Sequence, residues 1–297
     1  MAGLGVSHHG YRQGGSRYSY WLFRPKTTVS YAFTPALSLR YSFEMYEHVS
    51  RIAFIGGTAI RTNVMEWTVG NPDLKPNKVF DHVLTLSYDR PRLSLSADFC
   101  YRTNPRSNMA YYVRTADDRF VYTQRNQKDI RMVYGTVYAR CDILPERLTA
   151  NLWGGVFRFF NYGDNYRHYL TTYNFSGSLN AYLGRWTLVA AADNGWKFME
   201  GETMGHGGSA TYVGATCHIG NFDLSVFFQH PFEQHPRTNK SIICNEYMHK
   251  VFIERGRDYG NMLTFNLTWK MQWGRKYKSI RKTLQNRDSQ TGIMQGR

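Results

Sequence analysis

The stretch "TVGNPDLKPNK", residues 68–78, decides how the chain around it folds. It carries two prolines, a glycine and an aspartate close together, a composition that excludes the interior of a helix or a strand. The residues that follow, "VFDHVLTLSYDRPRLSLSADFCYR" (79–102), instead alternate between apolar and polar side chains on both sides of a tight turn. We therefore expect a stiff polar loop that leads directly into a β-hairpin.

The same two-residue period recurs along most of the chain, whereas no window shows a helical period. It predicts about eleven strands, at 18–33, 36–46, 78–89, 91–102, 127–142, 146–161, 166–183, 185–198, 208–220, 221–231 and 258–273. In 127–142 and 146–161 bulky residues fall at both odd and even positions, so the pattern assigns neither face there. The sequence thus predicts an all-β protein built as an antiparallel meander.

The lengths of the connections between these segments are sorted. Tight turns at 33–36, 89–91, 143–146, 184–186 and 220–222 alternate with connections at 47–77, 103–126, 162–165, 199–207 and 232–257, of which all but 162–165 are long. A meander places every tight turn at one end and every long loop at the other, which is typical of outer-membrane barrels. The predicted strands also exceed the usual length in soluble sheets and suffice to cross a bilayer.

The composition agrees with strands that form part of a membrane barrel. The mean hydropathy of the 297 residues is −0.51, yet half of every strand would face water, and Ser, Thr, Asn, Gln, Tyr and Gly supply much of the polarity. No run of 18 apolar residues predicts a membrane-spanning helix, and the first residues do not form a signal peptide. Alternation with polar neighbours predicts a set of lipid-facing side chains: Leu93, Leu95, Phe99, Leu263, Phe265, Leu267 and Trp269.

The phrase "GNPDLKP", Gly70 to Pro76, resembles one that recurs in TonB-dependent outer-membrane receptors, before a barrel strand and after an extracellular loop. The whole chain is similar to the C-terminal barrel portion of such a receptor, or of the Bacteroidota outer membrane protein β-barrel family. The resemblance implies a 22-stranded barrel, of which this chain would form about half. It also implies a plug, contact with TonB through that plug, and nutrient uptake.

The order of the segments predicts an incomplete barrel. Segments 18–33 and 258–273 would run in the same direction, so closing the sheet would require parallel pairing, which bacterial single-chain barrels do not use. We expect residues 1–17 to be a flexible segment, 18–273 a partial barrel and 274–297 a basic tail. The missing strands and the plug would come from upstream sequence or from a separate chain, with outer-membrane lipid as the surrounding partner.

The sequence does not indicate a catalytic, cofactor-binding or metal-binding set of residues. His8 and His9 are adjacent, and His230 and His235 flank Glu233, but nothing completes a zinc set. The glycines in "GETMGHGGSA" (201–210) open no helix and contain no lysine, so they do not predict a phosphate loop. We interpret Cys100, Cys141, Cys217 and Cys244 as packing residues. Long loops 47–77, 103–126 and 232–257 carry Tyr, Arg, Asn and His that could bind a ligand.

Three functions remain open at this point. The first is a non-enzymatic outer-membrane receptor barrel that takes part in nutrient uptake, with an unknown ligand. The second is a soluble basic β-protein that binds nucleic acid, since the net charge is +15. It requires basic and aromatic residues interleaved on one exposed face. The third, a membrane enzyme, would need a catalytic set that the sequence does not show. Strand length and sorted connections favour the first.

Overall fold

The computed structural model of the protein describes residues 1–13, 16–271 and 273–274. Most of these residues lie in β-strands. The strands are β1 Ala2–Gln13, β2 Ser16–Ala32, β3 Leu37–His48, β4 Ala59–Arg61, β5 Glu66–Val69, β6 Asn77–Arg90, β7 Leu93–Pro105, β8 Asn108–Arg114, β9 Phe120–Asn126, β10 Asp129–Leu144, β11 Leu148–Tyr162, β12 Arg167–Leu183, β13 Trp186–Asp193, β14 Lys197–Glu200, β15 Thr203–Gly207, β16 Thr211–Ile219, β17 Phe222–Gln229, β18 Arg237–Cys244, β19 His249–Arg255 and β20 Met262–Trp269. One turn of helix, α1 (Ile52–Ile55), and a 3-10 turn at Arg257–Tyr259 complete the described elements. Within the described residues, no helix has the length and apolar character needed to cross a membrane.

Twelve strands form one large sheet, which we call the wall. Their order is β1-β2-β3-β6-β7-β10-β11-β12-β13-β16-β17-β20, and every neighbouring pair is antiparallel. The predicted all-β antiparallel meander is therefore confirmed. Strands β1 and β20 form the two edges of the wall in the described part of the chain.

The first residues differ from the sequence prediction. Where a flexible segment was expected at 1–17, Ala2–Gln13 form strand β1 and pair with β2 along their whole length. Leu4 and Val6 lie on one face of β1 and the small residues Gly3 and Gly5 on the other, so a two-residue period is present but weak. This strand raises the count in the wall from about eleven to twelve, and β1 runs antiparallel to β20. The sequence argument that closing the sheet would require parallel pairing of the two end strands is therefore wrong.

The two faces of the wall differ in chemistry. One, the apolar face, exposes large side chains such as Tyr173 (63%), Phe175 (60%) and Phe265 (71%). The other, the polar face, carries Thr172 and Asn174, which alternate with Tyr173 and Phe175 along β12 and are 4% and 3% exposed. Cross-strand register places on the apolar face all of the residues predicted to face lipid: Leu93, Leu95, Phe99, Leu263, Phe265, Leu267 and Trp269.

The structure also assigns the faces of 127–161. Met132, Phe157 and Phe159 belong to the polar face, yet they are buried, because the hairpin β14–β15 packs on them through Met199. The ring of Trp196 meets Phe157 edge to face, with 4.7 Å between centroids. A loop folded back against the wall thus explains why bulky residues occur at both odd and even positions of β10 and β11.

Connections at one end of the wall are tight and those at the other end are mostly long. The long ones form two further four-stranded sheets, which we call loop sheet 1, in the order β4-β5-β9-β8, and loop sheet 2, in the order β14-β15-β18-β19. The hairpin β8–β9 pairs with β5 and stays outside the wall. We call this side of the wall the long-loop end.

Candidate ligand site at the long-loop end

The loop that decides the fold is held by a close backbone approach. A Cβ atom at Gly70 would lie 2.1 Å from the carbonyl oxygen of Gly56. The backbone N–H of Asn71 donates to the carbonyl of Phe54 at 2.7 Å. Gly70 is therefore needed for contact between two backbone segments, a role that the sequence, which indicated only a turn, did not reveal.

The same loop is tied to loop sheet 1 by amide side chains. Asn71 Nδ2 donates to the carbonyl of Gln124 at 2.9 Å. Asn126 accepts the backbone N–H of Lys75 at 2.9 Å and donates to its carbonyl at 3.0 Å. Leu74, between these anchors, is 1% exposed. Loops 47–77 and 103–126 thus form one hydrogen-bonded unit.

The tip of hairpin β14–β15 docks on the wall. Gly201, at φ +60°, donates its backbone N–H to Oδ1 of the fully buried Asn161 at 2.8 Å. A Cβ at Gly201 would lie 3.0 Å from the hydroxyl of Tyr166 and 3.4 Å from Cβ of Met109. The tip therefore fits between the wall and loop sheet 1, and it carries a carboxylate on each side, Glu200 and Glu202.

Glu200 points into a polar cleft of about 500 Å³, which we call cleft 1. Its lining includes His48, Ser50, Asn77, Asn104, Asn108, Gln124 and Glu200. Hydrogen bonds fix several of these groups, since Asn108 Nδ2 donates to Ser50 Oγ at 2.6 Å and Asn77 Nδ2 donates to Asn104 Oδ1 at 2.8 Å. Cleft 1 offers amide and carboxylate groups in fixed positions.

Glu202 lines a second cleft of about 280 Å³, cleft 2, which is richer in aromatic rings. Its lining includes Tyr111, Tyr112, Gln127, Asn165, Tyr166, His168, Glu202 and Tyr247. Tyr166 and His168 stack with 5.0 Å between ring centroids. Aromatic faces beside amide groups can bind a ligand that combines flat apolar surfaces with hydrogen-bonding groups.

Burial changes the acidity of these loop groups. Surrounding protein raises the pKa of Glu200 above its ordinary value, although its side chain remains solvent-accessible within cleft 1. Burial likewise raises the pKa of Glu202, and the neighbouring carboxylate of Glu246 adds to the effect. The pKa values of Tyr112 and Tyr122 are also raised, chiefly by burial. The site therefore favours the neutral forms of its acids.

The wall below the clefts is a hydrogen-bonded polar surface. Arg102 on β7 donates from Nε and Nη2 to the two carboxylate oxygens of Asp81 on β6, at 2.5 and 2.7 Å. Thr85 donates to Asp98 at 2.6 Å. These groups therefore form hydrogen bonds with one another within the wall. The polar groups that several loops bring together lie in the clefts instead.

The structure places the two adjacent histidines that the sequence singled out on different faces of a strand. His8 and His9 point to opposite faces of β1, with His8 4.9 Å from the ring of Trp21. Within the described residues no three His, Cys, Asp or Glu side chains group as metal ligands. All four cysteines are free. Cys100 and Cys217 are buried, as packing residues should be, but Cys244 is exposed and borders cleft 2.

The sequence missed Glu200 and Glu202 as site residues. Their signal was the unusual tip "MEGETMG" (199–205), where two glutamates flank a glycine. The tyrosines of cleft 2 were predicted only as members of long loops. Which of them converge is decided by the pairing of those loops into two sheets.

Comparison with solved structures identifies the architecture. The copper transporter OprC matches 74% of this chain at a TM-score of 0.56 and 13% identity. A mutant of the ferric enterobactin receptor PfeA from Pseudomonas aeruginosa matches 73% of it at a TM-score of 0.50 and 10% identity. The fold is that of a TonB-dependent receptor barrel. The chain spans about a third of each of these proteins, 35% in both cases. No family model and no curated protein matches the sequence.

The two faces of the wall can be compared with the two sides of a TonB-dependent receptor barrel. Barrel strands alternate between a lipid-facing apolar side and a polar interior, and long loops project at the extracellular end. The apolar face corresponds to the lipid side of such a barrel and the polar face to its interior. Clefts 1 and 2 then correspond to the extracellular mouth.

Proposed function

We propose that this chain forms part of the wall of an outer-membrane receptor barrel and takes part in the binding and uptake of a nutrient. The observation that carries the proposal is the convergence of polar and aromatic loop residues in clefts 1 and 2, at one end of a sheet with an apolar and a polar face. The ligand would meet the mouth first and then pass along the polar face.

The edges of the wall support the need for further strands. Strands β1 and β20 each pair with one neighbour in the described part of the chain, which leaves a row of backbone N–H and C=O groups on either edge. In hydrocarbon such groups must be paired, because each unpaired group costs several kcal/mol. We infer that other residues of a longer protein, or a second chain, complete the barrel and supply a plug that contacts TonB.

The alternative, a soluble nucleic-acid-binding protein, requires an exposed face in which basic and aromatic residues are interleaved. Basic and aromatic residues lie side by side on the apolar face at its long-loop edge, but the rows below that edge expose mainly Leu, Val, Phe and Tyr side chains. An exposed apolar surface of this extent indicates contact with lipid or with another protein. The receptor-like function explains this surface, and nucleic-acid binding does not.

Cell fractionation and surface labelling test the proposal. Epitope tags would be inserted into the gene in its native bacterium, within 47–77, within 232–257 and at Asp89–Pro91, so that the strands that complete the barrel are present. We expect the protein in outer-membrane fractions, with antibody reaching the first two tags on intact cells and the third only after permeabilisation. Recovery in the soluble fraction, or the reverse labelling pattern, would refute the proposal.

A further inference from the structure

Strands β10, β11 and β12 carry an abrupt change of chemistry along their apolar face. Register places Arg131 beside Phe160, Arg158 beside Thr171, and Arg167 beside Tyr162, all within the rows nearest the long-loop end. The next rows toward the tight-turn end are apolar and exposed: Val156, Tyr173, Val137, Phe175, Leu152 and Leu179. The basic residues therefore occupy only the rim of this face.

Aromatic rings contact two of the arginines at the rim. Arg131 lies over the ring of Tyr162 at 5.5 Å, and Arg158 lies 5.6 Å from the rings of both Phe160 and Tyr169. Arg158 Nη1 also donates to Thr171 Oγ1 at 2.6 Å. Such contacts orient a guanidinium group and leave its remaining N–H donors available.

A groove accompanies these residues. It has a volume of about 640 Å³, and its lining includes the cations Lys128, Arg131 and Arg167, the carboxylates Asp129 and Asp164, and the polar side chains of Tyr162 and Asn165. We call Lys128, Arg131, Arg158 and Arg167 the basic rim. Asp129 pairs with Arg131, and Lys128 donates to the carbonyl of Asp164 at 3.3 Å. Arg158 and Arg167 have no carboxylate within ion-pair distance in the described residues, so the rim keeps an excess of positive charge.

Ordinary snorkelling of long basic side chains toward the membrane surface would explain a scattered distribution. Here the basic residues cluster on three adjacent strands. Elsewhere at this end of the apolar face, Lys78 on β6 is paired with Glu47 at 3.4 Å, and Arg12 and Arg17 lie opposite each other at the tip of the hairpin β1–β2. Three arginines lie close together beside a groove, and within the described residues only Arg131 among them has a carboxylate partner, an arrangement that can bind a phosphate group.

We propose that the basic rim binds the phosphate group of a lipid in the outer leaflet of the membrane. The inference rests on the proposed location of the chain, because it needs the apolar face to contact lipid. The acyl chains would lie along Val156, Tyr173 and Phe175, and the phosphate would accept hydrogen bonds from Arg158 and Arg167. The groove beside Asn165 would hold the polar part of the headgroup.

Lipid retention tests this site directly. The protein would be extracted from outer membranes in its assembled barrel and exchanged into detergent micelles that contain either phosphorylated lipid A or its dephosphorylated form, and bound lipid would be counted by native mass spectrometry. We expect retention of the phosphorylated lipid only. Replacement of Arg158 and Arg167 by Gln should lower retention about tenfold for each arginine, because each loses a charge-assisted hydrogen bond.

Arg140→Gln is the matched control, since Arg140 lies on β10 but on the polar face, and retention should stay at the level of the unmodified protein. Equal retention of the two lipids would overturn the proposal, and so would displacement of lipid A by millimolar inorganic phosphate, which would indicate a site for the free ion.

A photoreactive lipid A probe can be applied to the unmodified chain, so its result does not depend on whether the variants fold. Crosslinks on β10–β12 near the long-loop end support the proposal, and crosslinks confined to other strands refute it. The same preparations distinguish this inference from the proposed function. A chain that reaches the outer membrane but retains no lipid A refutes only the lipid site, whereas a chain absent from that membrane refutes the location on which both depend.

Discussion

Glu66 on β5 and Lys250 on β19 are 184 residues apart in sequence, yet the lysine Nζ lies 2.6 Å from a carboxylate oxygen of the glutamate. The pair joins loop sheet 1 to loop sheet 2. It borders a small cleft that also contains Tyr112 and Tyr122. Two long loops are thereby held over the same end of the wall.

Loss of this ion pair should loosen the loop sheets without unfolding the wall. Lys250→Met should lower the free energy of unfolding by at most about 1 kcal/mol, because both side chains are partly exposed and solvent screens the pair. Amide hydrogen exchange should become faster in β5 and β19 and remain unchanged in β10–β12. Arg114→Met, which breaks a pair within a single hairpin (Arg114–Asp118), is the control and should leave β19 unaffected.

Depth in the membrane should govern the cost of a charge on the apolar face. Leu152 lies in the middle of the apolar rows of β11, and Leu183 lies at the last position of β12, both exposed on this face. We expect Leu152→Arg to lower the free energy of unfolding by about 2–4 kcal/mol and Leu183→Arg to lower it by about 0–1 kcal/mol. A charge is far more destabilising near the bilayer midplane than near the membrane interface. Denaturant unfolding in lipid vesicles would measure both, and equal costs would contradict a membrane location of this face.

The close fit at Gly201 should make that position more sensitive than another glycine with similar backbone angles. Gly184 has φ +61° and open space around its Cβ position, whereas Gly201 has φ +60° and neighbours at 3.0 and 3.4 Å. Both alanine variants incur the conformational penalty of about 1–2 kcal/mol, and only Gly201→Ala also displaces the hairpin. Faster hydrogen exchange across 197–207 in Gly201→Ala alone would confirm the docking, and equal effects would argue against it.

Protonation of Glu200 should strengthen the docking of hairpin β14–β15. Because the pKa of Glu200 is raised in the folded protein, the folded state binds this proton more tightly than the unfolded chain. Docking should be most stable below the ordinary glutamate pKa of about 4.3 and weaken as pH rises through the window up to the raised value. Hydrogen exchange of 197–207 across this range would show it.

Glu200→Gln should remove that part of the pH dependence and protect the hairpin at neutral pH. Glu233→Gln is the matched control, because Glu233 is an exposed glutamate in the loop at 230–261. This variant should show the same pH dependence of hydrogen exchange at 197–207 as the unmodified protein. A profile that is the same in Glu200→Gln and in the unmodified protein would show that another group controls the docking.

The sequence by itself determined the architecture of the wall. The alternation of Leu263, Phe265 and Leu267 with polar residues fixes one apolar face because side chains alternate across a strand, and the sorted connection lengths fix the meander. Both are local properties, so they can be read without knowing which segments meet. Strand β1 was missed because the glycines on one of its faces weaken the same local signal.

Only the tertiary structure decided what lies at the long-loop end. The burial of Met132 and Phe157 depends on a hairpin that folds back from 196–207. Clefts 1 and 2 depend on loops that converge although they are distant in sequence, as Tyr111 and Tyr247 do in cleft 2. The need for glycine at Gly70 likewise arises from Gly56, which lies on another segment. Local periodicity carries no information about such contacts, because they are set by which backbone groups find partners once the wall has brought the loops together.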